Sequence, residues 1–203
     1  MSSFTSETSL STITTEDLEY QANQCGTPSL NNAKIDREKY RLIQSVAFTL
    51  DNIVSHNLAL ANGDNNSSSS ETRTSAFSSA VIPGITLYEY LLRICAFTQI
   101  ENETLITAFI YVDRVCSIGN EVLSEYNVHR ILLTSVLLAI KYNEDIHFTM
   151  EYYAGIAGIS VKELFDLEYE FTRVIDYCFY ICDDEFANHK SYLLESETYF
   201  NCE

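Results

Sequence analysis

From Val128 to Tyr142 the chain reads Val-His-Arg-Ile-Leu-Leu-Thr-Ser-Val-Leu-Leu-Ala-Ile-Lys-Tyr. Ile131, Leu132, Leu133, Val136, Leu137, Leu138, Ala139 and Ile140 leave almost no polar face at helical spacing. A helix that is apolar all round must be buried on all sides. This stretch is therefore expected to be the centre around which other helices pack.

Helical periodicity continues on both sides of it. Upstream, Glu103–Ser117 carries Leu105, Ile106, Phe109, Ile110 and Val112, and Ile85–Thr98 carries Leu87, Leu91, Ile94 and Cys95. Downstream come a short helix over Met150–Gly155 and a longer one opened by Ser160-Val-Lys-Glu163. The Ser…Glu spacing predicts a reciprocal capping box, in which both side chains satisfy free backbone amides. That helix runs through Leu164, Leu167, Tyr169, Phe171, Val174 and Ile175 to about Tyr177, and a weaker segment follows over Glu185–Tyr199. Six Gly and two Pro in 203 residues leave few turn signals, as expected of an all-α chain.

Outside this block the composition changes. Residues 1–33 are Ser/Thr-rich and read as a flexible tail. Within 34–60, Tyr40, Ile43, Ala47, Leu50, Ile53 and Val54 recur at three and four, predicting an amphipathic helix. Such a helix either packs on the rest of the chain or meets a partner. Residues 61–79 contain Asn-Gly-Asp-Asn-Asn-Ser-Ser-Ser-Ser and read as a mobile linker, with too few apolar groups to offset ordering entropy. The main helical unit is placed at 80–182, and 183–203 forms a C-terminal helical segment.

Charge and chemistry narrow the functional classes. Twelve Lys+Arg against 29 Asp+Glu give a net charge of −17, which opposes nucleic-acid binding and docking on an anionic membrane. No stretch reaches the ~18 consecutive apolar residues of a membrane span. The six cysteines form no CxxC pair, four of them fall in apolar helical runs, and Met1–Thr5 has no basic or apolar leader character. These features fit an intracellular protein, in the nucleus or the cytoplasm. His56, His129, His147 and His189 are scattered, and no phosphate loop, dinucleotide fingerprint or nucleophile elbow occurs. The pairs Glu144-Asp145 and Asp183-Asp184 read as solvated helix ends. No cofactor, metal or catalytic constellation is indicated, so the chain reads as a binding module and not an enzyme.

Four motifs, in order, carry a family resemblance. Tyr111-Val112-Asp113-Arg114 is similar to the Tyr-Leu-Asp-Arg signature of the cyclin box. Asn127 to Ser135, continued by Ala139-Ile140-Lys141-Tyr142, resembles the third helix of the P/U-type cyclins, the phosphate-pathway-related branch. Tyr152 to Ser160 and Leu167-Glu168 resemble the same branch. The resemblance covers about residues 85–180. It implies a cyclin-box fold, a five-helix bundle around a central buried helix, with the extra amphipathic helix at its N-terminal side.

The resemblance also implies a regulatory subunit that binds and activates a cyclin-dependent protein kinase. Lys141 and Glu168 match the family positions that grip the kinase. Leu138, Tyr142, Tyr177 and Phe179 would add apolar area beside them. The plainer alternatives are a helix-end charge for Lys141, a solvated face for Glu168, and core packing for Tyr177 and Phe179. A cyclin-fold scaffold or a transcription-type adaptor is the competing function, since a fold does not fix a function.

Two departures from cell-cycle cyclins matter. Their signature Asp pairs with an Arg ahead of the first helix, where this chain has Pro83-Gly84. Asp113 is expected to be partly buried and to need another donor, with Arg114 on a different face. In the substrate-docking groove, Tyr90 stands at the Trp-like position and Arg93 at an acidic one, so a groove for basic docking peptides is not implied.

Overall fold

In a computed structural model, residues 35–63 and 75–196 are described. The tail at 1–33 and the cysteines Cys25 and Cys202 lie outside those residues, as does the end of the C-terminal segment. Among the described residues the secondary structure is entirely helical: α1 (Arg37–Gly63), α2 (Leu87–Thr98), α3 (Asn102–Gly119), α4 (Val128–Asn143), α5 (Met150–Ala157), α6 (Val161–Val174) and α7 (Asp183–Ser196).

The apolar stretch Val128–Tyr142 forms α4, and every residue from Ile131 to Ile140 is buried. It shares the centre with α3, whose residues Thr104 to Val112 are all buried. The α3–α4 contact is the most extensive in the fold, and α3 also packs on α1, α6 and α7. A helix with Asn, Glu, Asp and Arg in its sequence reaches the centre because those residues cluster on one side and at its ends.

Helix α1 docks on the body, against α2 and α7. The buried stripe is rotated from the expected one. Leu42, Ile43, Val46, Ala47, Leu50 and Val54 face inward, whereas Tyr40 and Ile53 are exposed. Adjacent apolar residues at 42–43 and 46–47 allow two stripes, and two polar contacts accompany the one that is buried. The buried Ser45 hydroxyl donates to the Leu193 carbonyl. The Lys39 ammonium donates to the Ile100 carbonyl at the α2–α3 turn.

The stretch 61–79, read as a linker, is structured at both of its described ends. Helix α1 runs to Gly63, and at the other end Phe77 is fully buried, edge-on to Phe171 at 5.9 Å. The Ser79 amide donates to the Tyr126 carbonyl at 2.8 Å. One large aromatic side chain buries enough apolar area, at ~25 cal/mol per Å2, to anchor a short polar segment.

The predicted capping box at α6 forms by half. The Glu163 amide donates to Ser160 Oγ at 3.1 Å. The Glu163 carboxylate does not turn back but pairs with Arg130 of α4, because a guanidinium is a stronger partner than a neutral amide. A complete box occurs at Thr86 and Glu89, opening α2. Helix α5 continues two residues past its expected end and stops at Gly158, whose φ of 73° closes the C-terminus.

Candidate functional site

Three elements converge on one face. Helix α4 ends with Leu138, Lys141 and Tyr142, α6 contributes Glu168, and the connection from Ile175 to Cys182, here called the strap, carries Tyr177 and Phe179. The Lys141 ammonium forms an ion pair with the Glu168 carboxylate. Their side chains are 30% and 18% exposed, so the pair is reachable from solvent. Beside it, Leu138, Lys141, Tyr142 and Phe179 line a shallow cleft of about 200 Å3.

The cleft has a buried floor and an exposed rim. Leu138 is buried and Tyr142 is exposed. Phe179 is half-buried, edge-on to Tyr111 at 5.7 Å and stacked near Tyr142 at 6.1 Å. Tyr177 does not line the cleft. It is 65% exposed, which excludes a core role, and it sits with Asp176 in the left-handed region at φ 56° and 51°. Two consecutive non-glycine residues there are uncommon and bend the chain sharply between α6 and Phe179.

Further exposed aromatics border the site. Tyr180 follows Phe179, and Phe165 and Tyr169 flank Glu168 on α6. Tyr169 falls among the apolar residues expected along that helix, yet it faces solvent. The signal was present as Phe165, Glu168 and Tyr169 at i, i+3 and i+4, a second face beside the buried Leu164, Leu167 and Phe171.

Behind the cleft, α3 holds the strap. The buried Tyr111 hydroxyl donates to the Phe179 carbonyl at 2.9 Å, and burial pushes that phenol's pKa well up. Arg114 is buried and donates to the carbonyls of Cys178 at 2.6 Å and Tyr180 at 2.8 Å. The same guanidinium meets both carboxylate oxygens of Glu185 on α7, at 2.9 and 2.8 Å. Cys178 and Cys182 are exposed in this region, outside any helical run, whereas Cys95 is buried in α2 with its thiol pKa pushed up to about 12 by desolvation.

Arg114 therefore points away from Asp113, as expected, but Asp113 itself is not partly buried. Its side chain is 61% exposed, with His189 Nε2 at 3.8 Å. Water solvates the carboxylate, so no dedicated donor is required. Around Tyr90, a separate cavity of about 230 Å3 is lined by Arg93, His129 and Arg130, with no carboxylate among its lining residues. Burial there lowers the pKa of His129.

The family described as Cyclin matches residues 40–179, which takes in α1 through α6 and the strap as far as Phe179. The chain belongs to the cyclin family. Its relatives among plant cyclins place it with the P/U type. It is 32% identical to Cyclin-U4-1 of Arabidopsis thaliana over 127 residues, 62% of this chain and 63% of that protein. It is 30% identical to Cyclin-U2-1 of the same plant over 122 residues, covering 60% and 55%. It is 34% identical to Cyclin-P4-1 of Oryza sativa subsp. japonica over 126 residues, covering 62% and 59%. The chain thus spans 55–63% of the length of these relatives.

Cyclins are regulatory subunits and not enzymes themselves. In this cyclin Tyr111 and Arg114 of the signature lie behind the cleft, and Lys141 and Glu168 are at its edge. No described helix is long and apolar enough to cross a membrane.

Proposed function

We propose that this cyclin binds a cyclin-dependent protein kinase and activates it by holding the kinase regulatory helix in its active position. The observation that carries the reading is the Lys141–Glu168 pair set against the Leu138–Tyr142–Phe179 cleft. Such a site offers one cation, one anion and an apolar strip within a single patch. A helix presenting free backbone groups and aliphatic side chains is a fitting ligand. On binding, Lys141 and Glu168 exchange their mutual contact for charge-assisted hydrogen bonds to the kinase backbone. The aromatic residues supply the desolvated area that dominates such interfaces.

In an inactive kinase the regulatory helix is turned outward, and its Glu cannot reach the Lys that holds the ATP phosphates. A cyclin that binds only the inward arrangement shifts the kinase by its differential affinity for the two states. The net charge of −17 favours encounter with a basic kinase surface.

The test starts from the tagged cyclin purified from its source. The kinase recovered with it is produced separately, and peptide phosphorylation is measured with and without the cyclin. Activation that is lost in the Lys141→Ala/Glu168→Ala variant supports the reading. A kinase that binds with unchanged activity favours a scaffold, and recovery of no kinase removes the proposal.

A further inference from the structure

We infer that Tyr111 and Arg114 are positioning residues that clamp the strap, so that Phe179 is presented ready-made to the partner. This rests on the kinase-binding reading of the cleft. Three consecutive carbonyls, those of Cys178, Phe179 and Tyr180, all accept hydrogen bonds from α3. The strap has no helix or sheet to satisfy these groups, and unpaired they would leave a short segment free to choose among many conformations. The preceding Asp176 and Tyr177, both in the left-handed region, disfavour the present path. The turn itself is tied down by backbone bonds, from the amides of Asp176 and Tyr177 to the α6 carbonyls of Arg173 and Thr172 and from those of Cys178 and Phe179 to Ile175 and Tyr177, whereas the three carbonyls beyond the turn are held by the two side chains from α3.

Glu185 completes the clamp. A guanidinium spread over two carbonyls and a carboxylate is fixed in plane by its partners. Its position ties the end of α3, the strap and the start of α7 together. Phe179 then packs between Tyr111, which itself anchors the backbone of Phe179, and Tyr142, which lines the cleft. The clamp contributes to affinity by pre-organisation, since an aromatic anchor already in place loses less freedom on binding.

The chain has no tryptophan, so Phe179→Trp gives a single reporter at the cleft. In that background Arg114→Met should shift the emission to longer wavelength and speed hydrogen exchange at Cys178–Ile181. Circular dichroism should report unchanged helix content. Glu185→Gln, which keeps the side-chain volume and the carbonyl bonds, should give the same changes to a smaller degree if Arg114→Met folds poorly. With the kinase recovered above, Arg114→Met should bind at least tenfold more weakly than the unsubstituted chain. The Arg114→Met/Phe179→Ala variant should bind no more weakly than Phe179→Ala alone, because Arg114 acts through Phe179. The inference is overturned if Phe179→Ala weakens binding while Arg114→Met binds within twofold of the unsubstituted chain, or if the two losses add in full. Unchanged binding by Phe179→Ala and by Lys141→Ala/Glu168→Ala would instead remove the underlying reading of the cleft.

Discussion

Two ion pairs lie on either side of the strap and use their charges differently. Arg114–Glu185 joins α3 to α7, with side chains 10% and 30% exposed, and the guanidinium also serves two strap carbonyls. Lys141–Glu168 joins α4 to α6 through a single contact, with side chains 30% and 18% exposed. The first pair has little to gain from a new partner, because its donors are already committed in a fixed fork. The second can be exchanged for other hydrogen bonds at small cost. An ion pair in a fold is thus a staple or a handle according to how many of its donors are satisfied internally.

The strongest challenge to this contrast is Arg114→Met. It leaves carbonyls and a carboxylate without their donor, and should lower stability by about 2–4 kcal/mol in urea denaturation. A loss under 1 kcal/mol would place Arg114 with the surface pairs. Next, Lys141→Ala/Glu168→Ala should change folding stability by less than about 1 kcal/mol. In titration calorimetry the same variant should weaken kinase binding by roughly 30-fold or more, as expected when charged hydrogen bonds to a partner are removed. The reverse pattern, stable binding and an unstable fold, would exchange the roles of the two pairs.

A pH titration separates both pairs from the third charged region. His129 is held below its ordinary pKa by burial, so the unfolded chain takes up a proton more readily than the native one. Stability should therefore fall as pH drops from 7.5 towards 5.5, through the ordinary His range of about 6.5. Melting temperature should follow that slope, and His129→Gln should flatten it. Asp51, whose carboxyl burial raises, works in the opposite sense but at lower pH, above the ordinary carboxylate range of about 3.9. The smallest effect is expected at Lys162–Asp166, an i,i+4 pair with both side chains well exposed. Lys162→Ala should leave the melting temperature unchanged within error and kinase binding unaltered.

Much of the fold was legible because burial leaves a one-dimensional trace. The run Ile131–Ile140, interrupted only by Thr134 and Ser135, leaves almost no polar face, so its central place follows from composition and spacing alone. Helices α2, α3, α5 and α6 are recognisable by period, and Ser160 marks where α6 begins. The rotation of α1 was not legible, since Leu42, Ile43, Val46 and Ala47 permit either stripe. Phe77 was lost in a polar stretch because one aromatic makes no period. Lys141 and Glu168 came from a family resemblance, and their adjacency depends on how α4 and α6 cross.

The sequence by itself determined that the chain is helical, acidic and built around Val128–Tyr142, because those properties depend on residue type and local spacing. Only the tertiary structure decided that Glu163 turns to Arg130, that Asp113 faces water, and that Arg114 reaches a strap 64–66 residues downstream. Each of those outcomes is a choice among partners for a polar group. That choice depends on distances between elements far apart in sequence, which no local pattern encodes.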